Sequence, residues 1–327
     1  MKDSPILTAT IVSDVHMDFS NPNIKLLLYG FKCALRAAKN SGADAFITVG
    51  DTTSHGVRAN WDYARSCFNE VKNCAENIIL TVGNHDCWSD GDDEYASGIG
   101  EYYNAVKDIA GISLKKPYYS TVIKGYSFIC LGNESNAGCE ANISDEQLAW
   151  LKKELEKATQ GGKPAFVFCH QSLNGRHGLP RTWDKNERDW SPETGGIGEK
   201  SEELAALLKS FKNVFYFSGH SHMGLCGEDM LKREGYSSFE LEDGLHRVNL
   251  PCLSRVNHHG EIKGRGIGLQ LEVYENEVIL RPKNYITGKW IKQLNIKGGK
   301  PYYFVELKIT NIKAEAVFFL TASAFLF

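Results

Sequence analysis

The sequence predicts an α/β fold of two packed sheets flanked by helices, and three observations predict it. Short apolar runs alternate with helix-like segments from residue 6 to about residue 218. Five of those runs end in clusters of Asp, Asn and His. The last third instead carries two hairpin signals, Asp243-Gly244 and Glu275-Asn276-Glu277, each between strand-like runs. Strand–helix–strand order implies parallel strands joined by right-handed crossovers. The antiparallel third would be accommodated by a second sheet packed on the first.

Residues 6–13 (ILTATIVS) form the first strand, and Asp14-Val15-His16 follows it. In an extended chain residues i and i+2 point the same way, so Asp14 and His16 are expected to converge. Asn21-Pro22 opens a helix to about residue 40, with Leu26, Leu27, Phe31, Leu35 and Ala38 on its apolar side, and Gly42 closes it. Residues 44–49 (DAFITV) form the second strand and end at Gly50-Asp51. A helix over about 59–75 leads to the third strand, 78–82, which ends in Gly83-Asn84-His85-Asp86. In open α/β sheets the C-terminal strand edge is where ligands bind, so these polar ends are expected to gather in one place.

Residues 88–100 read as a polar, acidic loop, and 101–110 as a helix. Strands over 118–122 and 127–132 flank Lys124-Gly125 as a hairpin. Ser144 and Gln147 have capping-box spacing at the start of a helix that runs to about residue 159. The apolar strand 164–169 (PAFVFC) delivers His170. The stretch 171–198 carries Arg176, His177, Arg181, Trp183, Lys185, Arg188 and Trp190, cations and aromatics that suit an anionic substrate. A loop this long is expected to be a lid or specificity loop. A helix over 202–209 and a strand over 214–218 (VFYFS) then deliver Gly219-His220-Ser221-His222.

The totals limit the function classes. The chain has 327 residues, 42% hydrophobic and 24% charged, with a net charge of −3. That charge argues against a protein reliant on a basic surface for nucleic acid. The nine cysteines include no CxxC pair and read as reduced, mostly buried thiols of a cytoplasmic protein. The N-terminus runs straight into a strand without the features of a signal peptide, and no run reaches the ~20 apolar residues of a membrane span. Residues 1–295 are expected to form one domain, with 296–327 an apolar extension packed on it. Nothing in the pattern specifies the oligomeric state.

Taken in order, Asp14-x-His16, Gly50-Asp51, Gly83-Asn84-His85-Asp86, His170 and Gly219-His220-x-His222 resemble the motif series of the calcineurin-like metallophosphoesterase superfamily. The resemblance spans five motifs in the family's order. It implies a four-layer αββα sandwich, with the metal site at the C-terminal strand ends. It further implies two metal ions, divalent or trivalent, of Mn, Fe or Zn, which suit mixed Asp, His and Asn ligands. By the same resemblance, Asp14, His16 and His222 would hold the first ion and Asn84, His170 and His220 the second, with Asp51 bridging. His85 would contact the phosphate and give a proton to the leaving group, with Asp86 orienting it. Asn84, His85, Arg176 and Arg181 are the expected substrate contacts.

The implied activity is hydrolysis of a phosphate mono- or diester on a small molecule or nucleotide. A nuclease and a non-catalytic metal-binding scaffold are the alternatives. The sequence looks nearest to bacterial-type phosphodiesterases and phosphatases of the superfamily. Asp86-Cys87 follows His85 where protein phosphatases usually carry Arg, and Thr52-Thr53-Ser54 lacks the ligand tyrosine of purple acid phosphatases. Outside the motifs, His55 and His246 read as surface or packing residues, and His258-His259 lies in a loop that could reach the site edge. Gly264-Arg265-Gly266-Ile267-Gly268 opens a strand, which excludes a dinucleotide fingerprint, and Gly198-Glu199-Lys200-Ser201 lacks the Gly that a phosphate loop needs before Lys.

Overall fold

Alternation along the strands decides how the layers stack. In β1 (Leu7–Val12), Leu7, Ala9 and Ile11 face one way and are fully buried. In β6 (Ala165–Phe168) and β7 (Val214–Ser218), Phe166, Phe168, Phe215 and Phe217 do the same from the opposite side. These residues share one core between two sheets. A computed structural model describes residues 4–90, 93–135, 138–175, 195–227, 236–255, 257, 260–291 and 306–307.

The first sheet has seven strands. β1, β2 (Ala45–Val49) and β3 (Asn77–Thr81) run parallel. On the other side of β1 lie β10 (Ile267–Val273) and β11 (Val278–Asn284), both antiparallel to their neighbours. β12 (Lys289–Trp290) and β13 (Glu306–Leu307) pair with β11. The second sheet has six strands. The hairpin of β4 (Tyr119–Ile123) and β5 (Tyr126–Cys130) leads into parallel β6 and β7. β9 (Leu245–Asn249) lies parallel to β7, with β8 (Phe239–Glu242) antiparallel to it at the edge.

Helices cover both outer faces. α1 (Ile24–Ser41), α2 (Arg58–Glu70) and α4 (Glu94–Ala110) pack on the first sheet. α5 (Asp145–Ala158) and α6 (Ser201–Lys209) pack on the second. The result is the four-layer αββα sandwich. Between the sheets the rings of Phe168 and Phe217 stack with centroids 4.9 Å apart, and truncating a fully buried ring of this kind costs roughly 3–5 kcal/mol.

Three local expectations change. The C-terminal hairpins do not build the second sheet by themselves. One extends the first sheet beside β1, and the other extends the second beside β7. The polar stretch 88–100 is half helix, because Asp93 caps α4 by accepting from the Ala96 N–H at 2.9 Å. Ser144 caps α5 as expected, but Gln147 does not reach back to it. Its buried amide instead accepts from the Gly132 N–H and donates to the Gly132 carbonyl, pinning the loop after β5. Arg176, Arg181 and most of the 171–198 loop lie outside the described residues, as do His258, His259 and the extension beyond Leu307. All nine cysteines are free thiols. Among the described residues no helix is long and apolar enough to cross a membrane.

Candidate metal centre

The C-terminal ends of β1, β2, β3, β6 and β7 meet at the seam between the sheets. There Asp14, His16, Asp51, His170, His220 and His222 converge, with His85 and the turn that carries Asn84 beside them. Asp14 Oδ1 lies 3.0 Å from His222 Nε2 and 3.6 Å from His16 Nε2, and the two rings approach to 2.8 Å. Asp51 Oδ2 lies 3.1 Å from His170 Nε2, which is 3.2 Å from His220 Nδ1. The same Asp51 oxygen is 3.7 Å from His16 Nε2, so this carboxylate stands between the two groups.

The backbone reaches this arrangement by a route the extended-strand argument misses. Asp14 (φ 56°), His16 (φ 50°), Asp51 (φ 48°), His220 (φ 67°) and His222 (φ 48°) all occupy the left-handed region. Side chains rarely accept that conformation, and it persists only where surrounding structure enforces it. Asp14 and His16 therefore converge through two sharp bends. Two glycines are required for close approach. A Cβ on Gly83 would lie 2.2 Å from Asp51 Oδ1, and one on Gly219 would lie 2.0 Å from Ser13 Oγ and 2.4 Å from Asp14 Oδ2.

Each side chain is aimed by tying down its other polar atom. Asp14 Oδ2 accepts from Ser13 Oγ at 2.6 Å and from the His220 N–H at 3.1 Å, which leaves Oδ1 facing the rings. Asp51 Oδ1 accepts from the His85 N–H at 3.0 Å, which leaves Oδ2 facing them. His170 Nδ1 donates to the Val49 carbonyl at 2.8 Å, and His85 Nδ1 donates to the Ser54 carbonyl at 2.8 Å, so Nε2 of each points inward. Such outer partners fix tautomer and ring orientation in metal sites.

Asp86 is placed differently from the sequence expectation. Its carboxylate does not touch the His85 ring. It accepts from the Gly83 N–H at 2.9 Å, the Thr53 N–H and Oγ1 at 2.9 Å each, and the Thr52 N–H at 3.3 Å. It thus ties the Asp51 turn to the Asn84 turn, and the Ser54 carbonyl orients His85. Burial and the nearby Asp51 charge raise Asp86 to about 7, against these hydrogen bonds.

The electrostatics suit a cation. Burial works to raise Asp14 and Asp51, but the neighbouring imidazoles, His170 foremost, hold both carboxyls below their usual range. Burial pulls His16 down to about 4, and burial together with His170 pulls His220 down to about 3, so both stay neutral and able to offer a lone pair. His170 is pulled down by burial but lifted more by Asp51 and Asp14, to about 9. Two buried carboxylates thus demand positive charge at this point. Asn84 supplies the clearest sign. It is 1% exposed, and neither its amide oxygen nor its nitrogen has a hydrogen bond. A buried amide left this way costs free energy unless something binds it. Three sets of side chains offer ligand atoms within 4.8 Å of one another: Asp51, His170 and His220; His16, Asp51 and His85; and His16, His222 and Cys252.

Two supporting residues were not found from the sequence. Cys252 sits against the first group through the parallel bridge of its backbone to Ser13. Its thiol donates to the Asp14 carbonyl at 3.1 Å, and burial with the Asp14 charge raises its pKa, which keeps it neutral. Asn249, at the end of β9, donates to the Gly219 carbonyl at 3.0 Å and accepts from Ser221 Oγ at 3.2 Å, holding the turn that carries His220 and His222. Neither residue has a spacing relation to the motifs, so only the fold brings them there.

The family model for calcineurin-like phosphoesterases matches residues 7–224. A search of curated proteins finds no match. Among solved structures, a dimetal phosphatase from Danio rerio is similar, with 13% identity, a TM-score of 0.56, and 86% of this chain and 97% of that one covered. A purple acid phosphatase from yellow lupin (Lupinus luteus) seeds has 13% identity and a TM-score of 0.60 over 88% of this chain and 53% of its own. GAP50, the anchor in the inner membrane complex of Plasmodium, has 14% identity and a TM-score of 0.53 over 96% and 94%. At such identities the likeness is one of fold.

Proposed function

Because the chain belongs to the calcineurin-like phosphoesterase family, we propose that it hydrolyses phosphate mono- or diesters of small molecules or nucleotides at the seam of its two sheets. Asp14, His16 and His222 would hold one metal ion and Asn84, His170 and His220 the other, with the Asp51 carboxylate available to both. The donor set of imidazole, carboxylate and amide suits Mn, Fe or Zn. When bound, two such ions supply an activated water and neutralise charge on the phosphoryl oxygens.

The remaining work belongs to the chain. The Asp51 and Asn84 turns are fixed to each other through Asp86, so the ligands are set before substrate arrives. His85 is the proton donor. Its Nδ1 is committed to the Ser54 carbonyl, and Nε2 faces the centre 4.0 Å from Asp51 Oδ2. A proton on Nε2 can pass to the departing alkoxide, and general acid catalysis of this kind contributes ~10²–10⁴-fold. One observation carries the reading above the others. The Asn84 amide is buried with no hydrogen bond, in the turn whose next residue, His85, donates its N–H to Asp51, and this is the condition of an open ligand position.

The test is direct. The purified protein is analysed for bound metal and assayed with the nitrophenyl monoester and diester in added Mn²⁺. Hydrolysis that disappears on chelation and returns with metal is expected. Two bound metals without turnover of either ester would sink the proposal. The ratio of the two rates assigns the mono- or diester preference.

A further inference from the structure

The centre opens to solvent on one side. Asp14, His16, Asp51, Asn84, His170 and His220 are each no more than 4% exposed. His222 is 13% exposed and His85 27%, so substrate approaches past His85. Two aromatic side chains flank that ring on the way in. Trp88 is half-buried and tilted at 54° to the His85 ring, with centroids 4.2 Å apart. His55 is exposed and stands edge-on at 6.4 Å and 88°. On the inner side His16 closes the arrangement edge-on at 4.9 Å. The Gly56 N–H donates to the Trp88 carbonyl, so the segments carrying His55 and Trp88 are fastened together.

We propose that His55 and Trp88 form an aromatic rim that receives a planar heterocyclic leaving group, so that the site prefers nucleoside phosphate esters to their aliphatic counterparts. The inference rests on the phosphoesterase reading and on His85 as proton donor. The leaving alcohol must lie beside the group that protonates it. What flanks His85 on its solvent side is then what the rest of that alcohol meets. An indole face stacks on any nucleobase, because every base has a π face. The rim therefore selects for a base without selecting which base. It also gives His55 a role, where the sequence pattern read it as a surface or packing residue.

Two roles for Trp88 must be told apart: contact with the leaving group and mere packing on His85. The Ser54 carbonyl holds the His85 ring independently of Trp88, so Trp88→Leu and His55→Ala leave the proton donor in place. The substrates are matched pairs with the same leaving carbon: adenosine 5′-phosphate against ribose 5-phosphate, and the methyl diester of each. The native protein is expected to favour the base-bearing member by about tenfold in kcat/KM, and both variants to bring the ratio toward unity while ribose turnover stays within about threefold. An absent preference in the native protein, or variants that slow both members alike, overturns the rim. If neither member is hydrolysed by metal-loaded protein, the hydrolase reading has failed. Calorimetry then decides the rim separately, using the methylenephosphonate analogues with carbon in place of the ester oxygen. Tighter binding of the adenosine analogue that Trp88→Leu abolishes supports the rim, and equal binding of the two analogues overturns it.

Discussion

The two sheets bring unlike halves to the centre. The first contributes Asp14, His16, Asp51 and Asn84, three oxygen donors and one nitrogen donor, and both carboxylates are among them. The second contributes His170, His220 and His222, all imidazoles. The negative charge that draws a cation thus comes from one sheet, and most of the softer donors come from the other. Neither half is a metal site alone. The centre is therefore a property of the seam, where the two sheets share one apolar core.

Asp51 is where that division is most easily broken, since its inward oxygen reaches His16 on its own sheet and His170 on the other. Asp51→Asn keeps the shape and removes the charge. Metal content is expected to fall below two per chain, with activity reduced to background. The loss should exceed the ~10–100-fold in affinity that follows removal of a supporting partner. Elemental analysis of dialysed protein and steady-state rates check it. Two metals retained at native affinity would mean the halves do not meet at Asp51. His85→Gln separates chemistry from assembly. A drop of ~10²–10⁴ in turnover is expected with both metals retained. If metal content falls with activity, His85 belongs to the ligand set.

The next pair compares the supports on each side. Asp86 serves the first sheet's turns and Asn249 the second's. In Asp86→Asn one amide face presents N–H groups to two backbone donors, so both the Asp51 and Asn84 turns loosen. Asn249→Ala releases only the turn carrying His220 and His222. Each is expected to weaken metal binding by ~10–100-fold. Asp86→Asn should disturb both ions and Asn249→Ala should spare occupancy through Asp51 and Asn84, as read by competition with a chelator of known affinity. Equal effects on both ions from Asn249→Ala would erase the distinction between the halves.

The candidate site was legible because strand ends in this chain carry Asp, Asn and His where turns alone would not need them. The geometry behind it was less so. Asp14-x-His16 read as an extended pair, yet both residues have positive φ, as do His220 and His222. Asp and His adopt such a backbone more readily than most side chains, yet still rarely, so residue type alone does not announce it and the surrounding structure enforces it. The hairpins were visible, but which sheet each joins depends on long-range pairing such as Thr10 opposite Gln270, to which no local pattern points. The resemblance implied that Asp86 orients His85. In the short helix α3 (Asn84–Cys87) adjacent side chains diverge, and the nearby Ser54 carbonyl takes that place instead.

The smallest effect concerns stability away from the centre and separates the second sheet's structural histidine from its candidate ligand histidines. His246 on β9 stacks on Phe215, with centroids 4.4 Å apart and planes 9° apart. It is 8% exposed, its Nδ1 has no hydrogen bond, and burial alone pulls it down to about 4. The unfolded chain takes up this proton as pH falls through about 6.5, while the folded chain resists until about 4. Its contribution to stability is therefore complete above that window and is lost on acidification across it, by up to about 3 kcal/mol. His246→Phe preserves the stack and removes the proton site. Urea midpoints of the two proteins should run together at pH 7 and separate below pH 6.5, the variant being the more stable, with metal-dependent activity at pH 7 unchanged. Every other titrating group is common to both proteins and cancels from the difference. Parallel midpoints down to pH 4 would mean that His246 takes up its proton without leaving the stack.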